Sequence, residues 1–360
     1  MYVPTSIILA EGSNTRHYSQ ITHRALGSHL QTTKNRLLVA ATTTGNYYFG
    51  KEPQQSAMQD STAISDLYGI QLPARYELRR LEPKHSEWFK AIITHTTMYQ
   101  NDVFAPLYLG QQARLCLQIS RSLQGHYDPI LAAGLSFGIF DKEYKYKRPI
   151  SEASGGALYW AELNEQDPDL EANGRKLLSD HMDFPLVSVA GALDIASGMV
   201  GPHRERLVKM LPHASMLLAL SPPSSANSDA RDRNDDDDEK KDLKVETEAS
   251  ATTSPSTGQV MVRTGTATVD GYTGQGFMKT LSHYLMHNAL EKGFKMIQII
   301  VGSQAVCHVW SNAPPPFRAE VKQKFNIQDC PVTINGAQVR LFDKCPNGLK
   351  AAIYVYLQDK

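Results

Sequence analysis

Residues 270–277, with the sequence DGYTGQGF, combine glycines, a tyrosine and a glutamine directly before an amphipathic segment. Gly274 and Gly276 carry no Cβ atoms, so an anion could approach the main-chain N–H groups closely. A helix that begins here would add its unpaired N–H groups and the positive end of its dipole. The pattern predicts a cradle for a phosphate group. The alternative interpretation is a strand-to-helix turn that needs glycine only for its dihedral angles.

Two familiar phosphate-binding loops do not fit this stretch. A P-loop requires GxxxxGK[ST], but Lys279 follows Gly276 by three residues and no matching glycine lies upstream. A dinucleotide-binding fingerprint requires a third glycine, where Met278 stands, and an acidic residue after the next strand. The next apolar segment ends at Val301 with no acidic residue. Both loop types are therefore excluded.

Metal-binding chemistry is not indicated. His283 and His287 lie one helical turn apart, as two zinc ligands can, but the sequence offers neither a third ligand nor the glutamate of an HExxH motif. A solvated helix face is the favoured interpretation of this pair. The four cysteines show no CxxC spacing, which favours a reduced, cytoplasmic protein without a zinc cluster, a nuclear location being the alternative.

The elements that must position the glycine stretch can be read from the apolar pattern. Alternation predicts a strand at residues 75–83, followed by a helix that begins near His85 and a second helix over residues 107–123. The run GLSFGIFDKE predicts a short buried strand. Within residues 142–212, LVSVAGALDIASGM predicts an apolar helix and HRERLVKML an amphipathic one, and the following ASMLLAL predicts a short strand.

The C-terminal part alternates between strands and helices. A strand at residues 260–269 precedes the glycine stretch, its helix and the strand FKMIQIIV, and the runs AQVRLFD and AAIYVYL predict two more strands. The order lacks strict βαβ alternation. It predicts an α+β fold with a central mixed β-sheet flanked by helices.

Two segments differ in composition from this domain. Residues 222–258 consist mainly of Ser, Pro, Asp, Lys and Thr, including RDRNDDDDEKKD, and cannot bury enough apolar area to offset the entropy of ordering. We expect a disordered acidic insertion, a solvated loop being favoured over a site for a basic partner. Residues 1–70 predict a partly ordered N-terminal extension with one strand or hairpin in RLLVAATTTGNYYFG, which leaves residues 71–360 as the main domain.

The run VDGYTGQGFMKTLSHYLMHNALEKGFKMIQIIV resembles the acetyl-CoA-binding core of the GNAT N-acetyltransferases. The residues that fall in register with that core are Tyr272, Gly274, Gly276, Lys279, Leu281 and the helix exit EKGF. Residues 75–92 resemble the first strand and helix of the family. The resemblance implies the GNAT acyl-CoA N-acyltransferase fold, with residues 222–258 inserted between its third and fourth strands. It assigns acetyl-CoA or another acyl-CoA to the residues Val269, Tyr272, Thr273, Gly274, Gln275, Gly276 and Phe277.

The chain departs from the pattern of this family at several positions. Thr273 stands where the family usually has Arg or Gln, which removes a charge-assisted phosphate contact that contributes about 1.5–3 kcal/mol. Trp310 stands in place of the tyrosine that protonates the departing CoA thiolate, and an indole cannot act as that acid. His308 is our candidate for the replacement, with Cys307 as the alternative. The arrangement HVW…PPPF resembles a divergent fungal branch of the family.

No general base stands out in the sequence. The strand before the glycine stretch holds Arg263 and several threonines but no carboxylate, and Asp194 is a candidate whose alternative interpretation is a surface carboxylate. The resemblance therefore predicts acyl transfer from acetyl-CoA to an amine of a small molecule or a protein. The alternative is a catalytically silent acyl-CoA-binding or scaffold protein.

The overall charge and hydropathy narrow the class of partners. Lys and Arg number 37, and Asp and Glu also number 37, so no net charge draws the chain to nucleic acid. No stretch approaches the roughly 20 apolar residues of a membrane span, and the N-terminal residues make a poor signal peptide. The expected partners are an acyl-CoA and an amine acceptor, without a metal, and the sequence does not indicate an oligomeric state.

Overall fold

The structure is a computed structural model that describes residues 68–220, 258–334 and 336–357. The predicted strand or hairpin near the N-terminus and nearly all of the predicted acidic insertion lie outside the described residues.

Helices and strands are mixed along the described chain. In chain order they are β1 (Tyr76–Arg80), α1 (Ser86–Tyr99), α2 (Phe104–Leu107), α3 (Gln112–Ser122), α4 (Asp128–Ala132), β2 (Phe137–Asp141), α5 (Pro149–Ser154), β3 (Ala157–Leu158), α6 (Leu170–Asp180), β4 (Met182–Asp183), β5 (Leu186–Asp194), α7 (Val200–Met210), α8 (Pro212–Ala219), β6 (Val260–Thr268), α9 (Phe277–Glu291), β7 (Met296–Val301), α10 (Gln304–Ser311), β8 (Arg318–Asn326), β9 (Val332–Ile334), β10 (Ala337–Val339) and β11 (Leu349–Tyr356).

A seven-stranded sheet with the order β1-β2-β5-β6-β7-β11-β8 forms the centre of the main unit. Only β6 and β7 are parallel, and every other neighbouring pair in this sheet is antiparallel. The fold is therefore mixed α/β with a mostly antiparallel central sheet, as the sequence predicted at this level. Strands β3 and β4 form a separate two-stranded ladder. The antiparallel pair β9–β10 belongs to a second compact unit and is described by itself.

Helices cover both faces of the central sheet. On one face α9 and α10 contribute Leu281, Leu285 and Trp310 to a hydrophobic core. On the other face Phe89 and Ile92 of α1 pack in a second core together with side chains from α3 and α6. We call these the α9 face and the α1 face. No helix among the described residues is both long enough and apolar enough to cross a membrane.

The segment LVSVAGALDIASGM was predicted as a helix, and this prediction is wrong. It forms the central strand β5, whose residues are buried except for Asp194 at its end. Val187 and Ala190 belong to the core on the α9 face, whereas Val189 and Leu193 belong to the core on the α1 face. A strand covered on both sides is apolar throughout, so its period of two disappears from the sequence.

Three other predictions needed correction. The run ASMLLAL is not a strand but most of helix α8, which Pro212 opens at its first position, where a missing N–H is tolerated. The helix predicted over residues 107–123 begins later, at Gln112, as α3, and Leu107 is the last residue of the separate short helix α2. Strand β8 was not predicted, because its alternating sequence RAEVKQKFN is almost entirely polar.

The parallel strands β6 and β7 separate along their length. They pair only over residues 260–262 and 296–298. Beyond that point β6 continues alongside β5 to Thr268, and β7 continues alongside β11 to Val301. An irregularity in the β5–β6 ladder assists this divergence: Gly191 pairs with Gly265 and Ala192 with Arg263, which leaves Thr264 as an extra residue. A gap therefore opens in the middle of the sheet.

Candidate functional site

The glycine stretch forms an open turn at the N-terminus of α9. Gly274 and Gly276 have φ angles of 78° and 79°, in the left-handed region that favours glycine. Gly276 is the N-cap residue of α9, and no side chain caps the first N–H groups of this helix. A Cβ atom at either glycine would have no atom within 4 Å, so the backbone is open to a ligand on that side. This geometry fits an anion cradle.

Two polar networks anchor the turn to the rest of the domain. In the first, the Asp270 carboxylate accepts two hydrogen bonds from the Arg175 guanidinium, at 2.7 and 3.0 Å, and a third from the Gln100 amide. The hydrogen bond from Arg175 holds the pKa of Asp270 below its usual range. The network therefore fixes the start of the turn to α1 and α6.

The second network holds Tyr272. Its hydroxyl donates to Asp141 Oδ2 at 3.0 Å, and the same carboxylate accepts from Arg75 Nε at 2.8 Å and Arg75 Nη2 at 2.6 Å. Burial raises the pKa of Tyr272 to about 12, with the hydrogen bond to Asp141 acting in the same direction. Burial alone would raise the pKa of Asp141, but the hydrogen bonds from Arg75, Tyr272 and a main-chain N–H outweigh it, so this pKa is lowered. Tyr272 is thus held in place by Asp141, and its hydroxyl oxygen can only accept a further hydrogen bond.

A cavity of about 760 Å³ joins the glycine turn to the gap between β6 and β7. It reaches both faces of the sheet, because Met278 and Val306 line it from the α9 face, and Thr96 and Leu207 line it from the α1 face. Tyr272, Thr273, Gly274, Gly276 and Phe277 of the predicted site also line the cavity. Gln275 and Val269 do not. Gln275 is exposed, and the Val269 N–H donates to Val187 in the adjoining strand at 2.9 Å.

The charged side chains that line the cavity are all basic. Arg204, Arg263, Lys279 and Lys350 contribute, and among the described residues no aspartate or glutamate lines the cavity. This distribution favours an anionic ligand. The Lys350 ammonium already has protein partners, because its Nζ atom donates to the main-chain oxygens of Leu218 and Leu220 at 2.5 and 2.7 Å.

Arg263 is a half-buried cation on β6, less buried than Lys350 but without an acidic partner among the described residues. Its Nε atom donates to Thr266 Oγ1 at 2.7 Å, and no carboxylate forms an ion pair with it in the part of the chain that the structure describes. Burial lowers the pKa of Arg263 to about 10. The guanidinium therefore stays charged at neutral pH without a counter-charge.

His203 contributes an imidazole to the opposite wall. Its Nδ1 atom lies 2.9 Å from Nε2 of His126, and the two rings are nearly coplanar. Its Nε2 atom is buried and has no hydrogen-bond partner among the described residues. Burial lowers the pKa of His203 to about 4, so the ring is neutral at pH 7. A neutral imidazole can accept a proton when its other nitrogen donates to a partner.

The structure does not bring His308 to the cavity. Helix α10 contributes Ala305, Val306 and Val309 to the lining, whereas the His308 side chain is exposed and lies 3.4 Å from the Asn312 amide. Cys307 and Trp310 are buried in the core on the α9 face. The acid role of His308 stays a prediction that only kinetics can test.

Asp194 and the pair His283/His287 were also candidates from the sequence, and none of the three lines the cavity. Asp194 accepts hydrogen bonds from the N–H groups of Ala196 and Gly258, at 3.0 and 2.9 Å, and does not line the cavity. His283 and His287 are half-buried rather than solvated, and the His287 ring stacks on Tyr68 with centroids 4.4 Å apart. Within the described residues no group of three or more possible metal ligands occurs.

The chain matches no known protein-family model, and no curated protein matches its sequence. The solved structures that resemble it include the following two. The C-terminal condensation domain of Ebony in complex with beta-alanyl-dopamine is 12% identical with a TM-score of 0.41, over 78% of this chain and 97% of that one. The arylalkylamine N-acetyltransferase 2 from Aedes aegypti is 12% identical with a TM-score of 0.39, over 79% and 99%. These values are too low to carry an argument, and neither structure supports a fungal branch.

Proposed function

We propose that this protein is an acyl-CoA-dependent N-acyltransferase with a GNAT-like fold. The observation that carries the proposal is the shared cavity, which connects an open glycine turn at a helix N-terminus with the gap between two diverging parallel strands. A nucleotide-bearing thioester has two ends that match these two features. Its phosphates match the anion cradle, and its extended arm matches the gap.

On this proposal, the pyrophosphate of acyl-CoA binds the N–H groups around Gly274 and Gly276. The pantetheine arm then follows β6, where the residues past 262 no longer pair with β7 and their main-chain groups on that side can bind the arm. The basic lining supports this orientation, because CoA is polyanionic. Acetyl-CoA is the simplest donor, and no metal is needed for this step.

The amine acceptor would enter from the α1 face. There Thr96 Oγ1, Thr264 Oγ1 and His203 Nε2 are buried polar atoms without hydrogen-bond partners among the described residues, and all three residues line the cavity. Buried polar atoms usually have partners, so a polar substrate that contacts them is a consistent explanation.

The reaction follows from these positions. The amine nitrogen attacks the thioester carbonyl carbon, and the carbon–sulfur bond breaks as the amide forms. His203 Nε2 takes the proton that the amine loses, provided that Nδ1 donates to His126 and that substrate binding exposes the buried Nε2 atom. The CoA thiolate leaves and takes a proton from water. His203 is therefore our candidate base, a role for which the sequence offered no clear residue.

A second candidate function is a catalytically silent acyl-CoA-binding protein. The observation that favours it concerns helix α10. Its Trp310 is fully buried, and the side chains that it contributes to the cavity are all apolar. The two functions share the donor site and differ only in turnover. Product formation from acetyl-CoA across a panel of amines, measured by release of free CoA thiol, separates them.

Calorimetry with acetyl-CoA tests the donor site. We expect Gly276→Asp to abolish binding, because its carboxylate would lie against the pyrophosphate, and Gly276→Asn to retain much more affinity, since it differs from Asp mainly in charge. Gly293→Asp is the matched control: Gly293 has a φ of 82°, equally open surroundings and a place outside the cavity. Equal affinity of folded Gly276→Asp and wild type would remove the cradle from the proposal.

A further inference from the structure

Arg263 lies at the point where the parallel strands separate. It follows Val262, the last residue of β6 that pairs with β7. In the antiparallel ladder it pairs with Ala192, and Thr266 pairs with Ala190. Directly opposite side chains in such a ladder share a face, and both alanines belong to the core on the α9 face. Arg263 and Thr266 therefore project to that face, at the inner end of the cavity.

The charge of Arg263 has no partner that explains it. Thr266 accepts one hydrogen bond from Nε, and the two terminal nitrogens of the guanidinium have no hydrogen-bond partner among the described residues. The Arg263 side chain is half-buried, and its terminal nitrogens are not among the fully buried polar atoms, so they stay accessible from the cavity. A cation in a cavity without an acidic partner favours a ligand that carries negative charge.

This ligand group is distinct from the phosphates at the glycine turn. Arg263 and Thr268 are five residues apart on β6, about 16 Å of extended chain, but Nε of Arg263 reaches Thr266, which lies about 7 Å before Thr268. The glycine turn begins beyond Thr268, so an anion bound by Gly274 and Gly276 lies past the end of β6, whereas the Arg263 guanidinium lies beside the strand. The cavity therefore offers one anion site beside β6 and another beyond its end.

We propose that Arg263 recognises a carboxylate of the substrate, carried either by the acyl chain of the donor or by the amine acceptor. With Nε held by Thr266, the two terminal nitrogens present a planar pair of donors, which matches the two oxygens of a carboxylate. This inference rests on the proposed function for the identity of the substrates. It predicts a preference for acidic substrates that the family resemblance does not imply.

The first experiment tests the acyl donor. It compares succinyl-CoA with butyryl-CoA, whose acyl chains have the same length and differ in the terminal carboxylate. If the acyl chain carries the group, calorimetry will show succinyl-CoA binding wild type at least about tenfold more tightly, the ratio expected for charge-assisted hydrogen bonds. Arg263→Met should bring the ratio of the succinyl-CoA and butyryl-CoA affinities close to one, whatever it does to both affinities through the shared CoA part. Arg80→Met, which replaces an exposed strand arginine outside the cavity, should preserve the preference.

The second experiment tests the amine acceptor. It compares tyrosine with tyramine, an amine that lacks the carboxylate, each with acetyl-CoA. If the acceptor carries the group, KM for tyrosine will be the lower in wild type, and Arg263→Met will raise it by about tenfold while leaving KM for tyramine unchanged. Arg263→Lys keeps the charge without the planar fork and should give an intermediate result. It also replaces Arg263→Met if that variant does not fold.

If neither the donor experiment nor the acceptor experiment shows a preference for the carboxylate, the proposal is overturned. Failure of CoA and acetyl-CoA to bind overturns the proposed function instead, and the Arg263 site is then tested with free succinate. Stabilisation of wild type against heat by succinate, lost in Arg263→Met and kept in Arg80→Met, would support the site on its own. An equal response of wild type and Arg263→Met would overturn it.

Discussion

At the scale of single residues, the chemistry that we propose for the cavity assigns roles to Arg263 and His203, and neither belongs to a motif. Arg263 was visible in the sequence as the one charged residue in the strand VMVRTGTATV, which is an available signal for a functional cation. His203 gave no such signal. It pairs with His126, 77 residues away, and only packing brings the two rings together.

The glycine turn shows the opposite case. Gly274 and Gly276 were predicted as part of an anion cradle, and both have the positive φ and open surroundings that this role requires. Local backbone geometry follows directly from local sequence, because glycine is the residue for which φ > 0 carries no steric penalty. Side-chain positions such as that of His308 depend on distant elements, and spacing alone could not supply them.

A pair of histidine variants separates the two acid–base assignments. If His203 is the base, His203→Gln should lower kcat by about 10²–10⁴, the range for a positioned proton acceptor, while acetyl-CoA affinity stays within about threefold. His308→Gln, the residue indicated by the sequence, should change kcat by less than about threefold, because its exposed side chain does not line the cavity. Steady-state kinetics with an accepted amine provide the measurement.

The reverse pattern, with a large loss for His308→Gln and none for His203→Gln, would restore the sequence-based assignment. The pH dependence of kcat/KM is a second readout. A merely structural role for His203 would reduce the amount of folded enzyme without altering the shape of that profile.

At the scale of elements, long periodic segments were predictable and short apolar ones were not. The helix of α9 and the strands β6, β7 and β11 lie where the sequence indicated, because each has flanking turn residues and a clear period. The sequence predicted a helix where the structure has strand β5, and a strand where it has helix α8. Both are short apolar runs, and the deciding factors were tertiary for β5, which is covered on two faces, and local for α8, which starts at Pro212.

Helix α8 covers part of the cavity, and Lys350 on β11 holds its end. The Lys350 ammonium donates to the main-chain oxygens of Leu218 and Leu220, where the carbonyl groups of a helix end lack internal partners. Burial lowers the pKa of Lys350, and the carbonyl dipoles at the C-terminus of α8 favour its charged form.

We expect Lys350→Met to lower the free energy of unfolding by about 1–3 kcal/mol, because buried carbonyl groups lose their donors. Hydrogen exchange should accelerate in α8 more than in α9. Lys324→Met is the control, since Lys324 is an exposed strand lysine on β8 opposite Ala351. Urea unfolding and amide exchange measure the two effects, and unchanged exchange in α8 would show that Lys350 does not hold this helix.

At the scale of the whole molecule, the acidic stretch predicted as an insertion falls between two elements of the same compact unit. The segment between Leu220 and Gly258 joins α8 to β6, and both of its boundaries are anchored: Leu220 accepts from Lys350, and the Gly258 N–H donates to Asp194. The composition of this segment predicts disorder, and that prediction lies outside the described residues.

Deletion of residues 227–257 should therefore leave the melting temperature within about 2 °C of wild type, since closure entropy grows slowly with loop length. A second variant, in which the same residues are replaced by a Gly–Ser sequence of equal length, separates composition from length. A fall of many degrees in both variants would show that the segment packs against the domain, and a fall in the deletion alone would show that the remaining link is too short.

The buried histidines make the stability of the whole domain depend on pH. Burial lowers the pKa of His85 and of His203 to about 4 in each case. In the unfolded chain these groups titrate near pH 6.5. Between these values the unfolded state binds more protons than the folded state, so the free energy of unfolding is highest above about pH 6.5 and falls as the pH drops toward 4.

Each of these histidines contributes a slope of up to about 1.4 kcal/mol per pH unit within that window, which is large enough to measure. The urea midpoint should thus fall clearly from pH 7 to pH 5. In the double variant His85→Gln/His203→Gln the fall should be smaller by the share of these two rings. Part of it should remain, because burial also lowers the pKa of His95, His126, His213, His283 and His287. His85 has a structural reason to stay neutral, because its Nδ1 atom accepts the Glu82 N–H at 3.0 Å and its ring packs against Phe140. If the wild-type midpoint were the same at pH 7 and pH 5, both rings would have to titrate as they do in water, and the enclosed environment assigned to His203 would be wrong.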